Sequence, residues 1–372
     1  MKIEAEWMRG GTSKCWVFES HHLDNAGTDV DELLPRLFGS PDSRQIDGVG
    51  GATSTTSKAM ILNRPSDPSV DVEFTFAQVG IEEAAVDWGS NCGNCSAVVG
   101  LYALEKGWVL PEGDSTRIVT RNTNTGQIII QRVSTPDGAL PIVPDAEMPG
   151  VAFPGYRVGL GFRDPAGKTT GKLLPTGSAT DTIVAGGRRW TVSMVDAGAP
   201  VVIVPAEELG LDVSRYDTWV AGVELHLDTL DLVRRQAAVS MGMAATPDEA
   251  ARAVPKLAIV GPPDGTDPEG DVNVMMLSMG KPHPALAITG SIALTLAART
   301  RGTVLSEITG TVPHDTLKLR TPAGVIETWT EQRDDSLVIG VDRTARTIAS
   351  SIIHLPETLG NAVEASLATA TR

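Results

Sequence analysis

The chain has 372 residues, a length of about two domains. Lys and Arg total 31 against 46 Asp and Glu, and the formal net charge of −15 argues against general nucleic-acid binding and against docking on an anionic membrane. Aromatic residues are only 4%, so the cores must rest on Val, Leu, Ile and Ala, while 38 Gly and 24 Pro predict many turns and a β-rich protein.

Taken in chain order, Met1 to Glu6 has no apolar leader, and no run reaches the ~18 apolar residues of a membrane span. The expectation is a cytoplasmic protein, and three cysteines (Cys15, Cys92, Cys95) do not make a disulfide framework. Met8 to Lys14 and Gly48 to Lys58 concentrate glycines and hydroxyls beside a basic residue. Ser57 to Leu62 enters a strand, and Val72 to Phe76 alternates as a second one. After Trp88 to Asn94 comes a helix of small and apolar residues, Gly93 to Leu104, stopped by Lys106-Gly107. A hairpin follows over Arg117 to Val133, turning at Asn124-Thr125-Gly126, and Pro144 to Gly155 reads as a linker.

The order then repeats. Pro255 to Val260 resembles Ser57 to Leu62, and Val272 to Met276 resembles Val72 to Phe76. The strand candidates run into Gly80 and Gly280. A second small-residue helix spans Gly290 to Ala298 and stops at Arg301-Gly302. A second hairpin, Leu317 to Thr330, turns at Pro322-Ala323-Gly324. The spacing from helix glycine to turn glycine is 33 residues in one half and 34 in the other, which identifies a duplication. Each helix lacks a polar face, as a helix buried on all sides does. The expected architecture is α+β, with two pseudo-symmetric domains, each a sheet curled around a central helix. The domains are placed at 1–153 and 154–349, with 350–372 packing back on the first. The tail after Glu357 reads as a short helix or a frayed end.

Familiar motifs fail. Gly167-Lys168-Thr169 lacks the first glycine of a phosphate loop, where Phe162 stands. Gly159-Leu160-Gly161 and Gly48-Val49-Gly50-Gly51 lack the third glycine of a dinucleotide fingerprint. Cys92-Gly93-Asn94-Cys95 has no companion ligands for zinc and no small βαβ context for thioredoxin-like redox work. The start of the second helix, Thr289-Gly290-Ser291, carries no cysteine, so a two-thiol amino-acid racemase is excluded.

What stands is a set of small polar residues next to charges. Cys92 begins a helix, where a thiol has its pKa lowered; the plainer alternative is a packing residue in a glycine-rich turn. Cys95 and Cys15 read as packing residues. Lys58 either is solvated or lines a cleft, and its repeat mate Lys256 points to a structural role as an alternative. Arg9, Lys281 and His283 read equally as binding residues or as surface and capping residues.

Together, Met8 to Lys14, Thr55 to Lys58, Asn91 to Asn94, Leu174-Pro175-Thr176-Gly177 and Arg343-Thr344-Ala345-Arg346 resemble the 2-methylaconitate cis–trans isomerase family. Its relatives include methylitaconate isomerase, 4-oxalomesaconate tautomerase and aconitate isomerase. The resemblance spans roughly Met8 to Ile353. It implies the diaminopimelate epimerase fold with the site between two domains. It also implies Lys58 and Cys92, 34 residues apart, as the catalytic pair of a cofactor-independent 1,3-proton shift in a small unsaturated polycarboxylate. Carboxylates would be held among Arg9, Thr12, Ser13, Ser57, Asn91, Gly93, Asn94, Ser278, Lys281, His283, Gly290 and Ser291, with no metal. Two departures, Ala199 before Pro200 and Ala349-Ser350 after the Arg343 segment, bear on substrate identity rather than chemistry. The rival reading is a non-catalytic polycarboxylate-binding accessory to an aconitase-like enzyme; substrate-dependent solvent exchange separates the two. The sequence leaves a homo-oligomer open.

Overall fold

The computed structural model describes the chain except residues 90, 212–215, 264–269, 279, 284, 311–314, 334 and 357–372. The sequence expectations for the tail after Glu357 and for most of 350–372 therefore lie outside the described residues. The first half contains β1 (Lys2–Gly10), β2 (Ser13–Glu19), α1 (Ser20–Asp24), α2 (Val30–Phe38), β3 (Lys58–Asn63), β4 (Val72–Val79), β5 (Val86–Asp87), α3 (Gly93–Glu105), β6 (Ser115–Asn122) and β7 (Ile128–Ser134), and β8 (Tyr156–Arg163) follows at the junction. The second contains β9 (Asp181–Ala185), β10 (Arg188–Ala197), β11 (Ala199–Pro205), α4 (Tyr216–Glu224), α5 (Leu227–Ser240), β12 (Lys256–Gly261), β13 (Val272–Ser278), β14 (Lys281–Pro282), α6 (Ile288–Arg299), α7 (Val304–Thr309), β15 (Thr316–Thr321), β16 (Gly324–Arg333) and β17 (Ser336–His354).

Strand pairing follows one scheme twice. β1 pairs antiparallel with β2, β2 parallel with β3, β3 antiparallel with β4, β4 parallel with β6, and β6 antiparallel with β7. The same senses recur through β10, β11, β12, β13, β15 and β16. Of the four parallel crossovers, β4 to β6 and β13 to β15 contain α3 and α6, and β2 to β3 and β11 to β12 contain the outer helices α1, α2 and α4, α5. β8 lies between β7 and β17, and β17 is shared: Val338–Ala345 pairs with β8 and Ala345–His354 with β1.

Strand alternation sorts the layers. On β3, Met60 and Leu62 face the core containing α3, whereas Ala59 faces a second core under α1 and α2. On β12, Ala258 and Val260 face the core with α6, whereas Leu257 and Ile259 pack under α4 and α5. The outer helices were not read from the sequence. α2 is short and strongly one-sided, capped by the Asp29 side chain at Asp31 N–H and ended by left-handed Gly39.

The two inner helices are buried from Gly93 through Leu104 and from Ile288 through Ala298. α6 starts two residues earlier than its glycine suggests. The helix starts meet: a Cβ on Gly93 would lie 2.5 Å from Ile288 Cβ and 2.7 Å from its Cγ2. Each hairpin turn also rests on a helix start. Gly11, at φ +53°, would place a Cβ 2.0 Å from Asn94 Oδ1. Gly198, at φ +67°, would place one 3.1 Å from the Thr289 carbonyl oxygen.

Gly93→Ala should therefore destabilise the protein by about 1–3 kcal/mol by overpacking, read as a lower unfolding midpoint in denaturant. Adding Ile288→Ala should recover part of that loss, a non-additive cycle; strict additivity would place the clash elsewhere.

Candidate active site

Lys58 is the first residue of β3, and alternation puts it on the same face as Met60, toward α3. It is buried, with 8% exposure. Its ammonium donates to Gln78 Oε1 on the paired strand and sits 4.9 Å from the Phe76 ring centroid. Gln78 is held in turn by donating to the Ser57 carbonyl at 2.8 Å. No carboxylate ion-pairs with Lys58 among the described residues.

Cys92 is the N-cap of α3, and its Sγ accepts the Cys95 N–H at 3.5 Å. The sequence predicts a thiol pKa below the usual value here, and the structure reverses that. The neighbouring Cys95 thiol and burial push the Cys92 pKa well up, outweighing the Lys58 charge and the Cys95 N–H, which pull it down. Cys92 is itself half-buried, and the fully buried Cys95 lies against it.

The other candidates divide. Asn94 Nδ2 donates to Thr12 Oγ1 at 3.2 Å, while its buried Oδ1 has no partner. A cavity of about 330 Å³ opens here, lined by Thr12, Asn94, Ala285, Leu286 and Arg343 among others. Ser13 is buried at the start of β2, and Asn91 Oδ1 accepts from Asn122 Nδ2 at 3.5 Å. Gly290 packs in the first turn of α6 against Met276, whose Cε a Cβ there would meet at 2.3 Å.

Three residues have their polar groups engaged by the fold. Arg9 Nη1 donates to the Thr344 carbonyl at 3.0 Å, to Thr344 Oγ1 at 2.8 Å and to the Gly11 carbonyl at 3.2 Å, leaving Nη2 without a partner. Ser57 Oγ donates to the Val79 carbonyl and accepts from Gln45 Nε2. Ser291 Oγ donates to the Ile288 carbonyl within its own helix. Lys281 is exposed on β14. Ser278 ends β13, and its side chain lies outside what is described.

His283 is half-buried. Its Nδ1 accepts the Ala285 N–H at 3.1 Å, which leaves Nε2 as the donor of the neutral ring. Burial first, then the Lys256 charge, lower its pKa to about 4, with Lys58 and Arg343 adding to the effect. Two residues absent from the sequence-based site thus enter it. Lys256 opens β12 as Lys58 opens β3. Arg343 on β17 is 5% exposed, lines the cavity, and has its pKa lowered to about 10 by burial. The repeat pointed to Lys256; Arg343 stood in the Arg343-Thr344-Ala345-Arg346 segment of the family resemblance but was given no role there.

The PrpF protein family matches residues 1–356. A 2-methyl-aconitate isomerase of Shewanella oneidensis is 33% identical over 387 aligned residues, covering 96% of this chain and 98% of that protein. A 4-oxalomesaconate tautomerase of Pseudomonas putida is 35% identical over 357, covering 95% and 96%. The crystal structure of a methylitaconate-delta-isomerase superposes with a TM-score of 0.80 at 33% identity, over 95% of each chain. A hydroxyproline epimerase of Agrobacterium vitis, at 14% identity, shares the fold with a TM-score of 0.54 over 96% of this chain and 94% of that one. The relatives and the fold define an isomerase with an epimerase-like fold. The chain belongs to the PrpF protein family. No helix among the described residues is long and apolar enough to cross a membrane.

The His283 shift sets a pH dependence. Its folded pKa lies below the unfolded value of about 6.5, so it contributes stability above pH ~6.5 that is lost as pH falls toward 4. His283→Gln should lose less stability than wild type between pH 6.5 and 4 in denaturant titrations; identical slopes would mean that His283 is solvated.

Proposed function

We propose that the protein interconverts small unsaturated di- or tricarboxylates by a 1,3-proton shift, with Lys58 and Cys92 as the proton-transfer pair. The observation that carries this is the Cys92 cap of α3 within reach of the Lys58 charge, where two buried helix starts meet. The names of the relatives supply the substrate class: methylaconitate, oxalomesaconate and methylitaconate.

The chemistry needs one carbon beside an activated double bond to lose a proton and the far carbon to gain one. As the first C–H bond breaks, its electron pair becomes the new double bond, and the old double bond's electrons take up the proton delivered at the other end. A thiol beside an amine and a thiolate beside an ammonium hold the same number of protons. One member of the pair therefore accepts while the other donates. Charge building on the conjugated carboxylate meets fixed donors: the first N–H groups of α3 and α6, which have no acceptor within their helices, the Asn94 amide, and Arg343 at the cavity wall. None of these steps calls on a metal or an organic cofactor.

On the same reading the two halves are two domains, 1–153 and 154–349, each curled around its buried helix, with the end of the chain returning to the first. The repeated pairing scheme and the return of β17 to β1 support it.

Cys92→Ser and Lys58→Met should each lower turnover by ~10²–10⁴, and the double variant should be little worse than either, since a pair acting as a unit is non-additive. Proton NMR of methylaconitate, oxalomesaconate, aconitate and methylitaconate incubated in D₂O reads both isomerisation and deuterium uptake. Cys95→Ser should cost mainly stability. Wild-type exchange by Cys92→Ser would remove the pair from the mechanism. Turnover should also survive exhaustive EDTA treatment; loss reversed by an added metal would overturn the cofactor-free reading.

A further inference from the structure

The duplication places a second lysine opposite the first. Lys256 opens β12, which runs parallel to β11, as Lys58 opens β3 beside β2. Alternation along β12 puts Lys256 on the face of Ala258 and Val260, which pack against α6. Both lysines therefore point from their strand starts toward the place where the two inner helices begin.

Lys256 is poorly provided for by the protein. Its ammonium has three donors, and the described contacts give it one bond, a 3.5 Å approach to the Ala253 carbonyl. Among the described residues no carboxylate forms an ion pair with it. The groups felt from the packed elements are Lys58 on β3, which opposes its charge, and Cys92 at the α3 cap and Asp87 on β5, which favour it. His283, in the segment after β14, feels Lys256 in turn. Burial, followed by Lys58, lowers the Lys256 pKa to about 8. A half-buried cation with unused donors, held beside a second lysine, is costly unless an anion completes it. An apolar residue would fill the same strand position at lower cost, as Ala258 and Val260 do two and four residues on.

We propose that Lys256 binds a carboxylate of the substrate, so that the site takes a polycarboxylate held by one ammonium from each half of the chain. This rests on the polycarboxylate reading above and adds to it a specificity residue from the second half. Lys58 works at the reacting carbons; Lys256 anchors a carboxylate away from them. Monocarboxylates, which cannot engage both lysines, are then excluded.

The test separates binding from turnover. Propane-1,2,3-tricarboxylate, a saturated probe that cannot isomerise, should bind the wild-type protein by calorimetry, and butyrate should not. Lys256→Met should weaken that binding by roughly 10- to 100-fold, the size of a charged hydrogen bond. It should raise KM by a similar factor on the accepted unsaturated acid, with kcat changed only a few-fold. Lys256→Arg should restore part of the binding, and Lys318→Met, at an exposed strand position, should match wild type. Wild-type affinity and KM in a folded Lys256→Met protein would overturn the proposal. So would a fall in kcat at unchanged KM and probe affinity, because that would place Lys256 at the chemistry. If wild type exchanges no deuterium into any unsaturated acid but binds the probe through Lys256, the proposed reaction fails while this assignment stands.

Discussion

Everything in the site depends on two buried helices being allowed to start against one another. A side chain at Gly93 would collide with Ile288, so the contact exists only because the first helix begins on a residue without one. Helix starts carry unpaired N–H groups and partial positive charge, and bringing two together under cover concentrates both. The hairpin turns at Gly11 and Gly198 brace the same two helix starts, so each half positions its own helix end by the same device. The strands that carry Lys58 and Lys256 then need only reach their first residue to arrive at the convergence.

The electrostatics of this region oppose those of the chain. The protein carries a net charge of −15, yet Lys58, Lys256 and Arg343 gather at the convergence with no carboxylate ion-paired to the lysines among the described residues. His283 stays neutral because those charges and its burial keep a proton off it. At Cys92 the adjoining Cys95 thiol, followed by burial, outweighs the nearby Lys58 charge and pushes the pKa up. On the proposed reading, an anionic substrate restores the charge balance of a site arranged in this way. An acidic exterior around a cationic interior also disfavours anions everywhere except at the one place that uses them.

The repeat was legible because it is written in period: alternating strands, helices without a polar face, and glycines at matched spacing. Lys58 and Cys92 were singled out through the family resemblance, which pairs a lysine and a cysteine 34 residues apart, with glycine-rich surroundings beside each. The direction of the Cys92 shift was not, since it depends on Cys95 lying against it and on how much water is excluded, and neither is a property of the local sequence. The contacts that Ser57, Ser291 and Arg9 make with the fold were not legible: Ser291 bonds within its own helix, Ser57 with Gln45 and Val79, and Arg9 Nη1 with Thr344, 335 residues away. Lys256 was visible as a repeat mate, but its face could be fixed only once the neighbouring residues were assigned to one core or the other. The outer helices escaped because α2 is nine residues long with a proline inside it, too short and too irregular for its pattern to stand out.

The long strand β17 has a mechanical side. Its first part is hydrogen-bonded into the second half through β16 and β8, and its last part into the first half through β1. The pairing with β1 slips between Trp7 and Met8, opposite Ala349 and Thr347, so Ile348 is an extra residue bulged out of the ladder. A continuous strand resists sliding and stretching along its length but bends where its ladder is interrupted. The two halves are thus joined by a continuous strand whose bend lies just beyond Arg346, in addition to the packing of their helix starts.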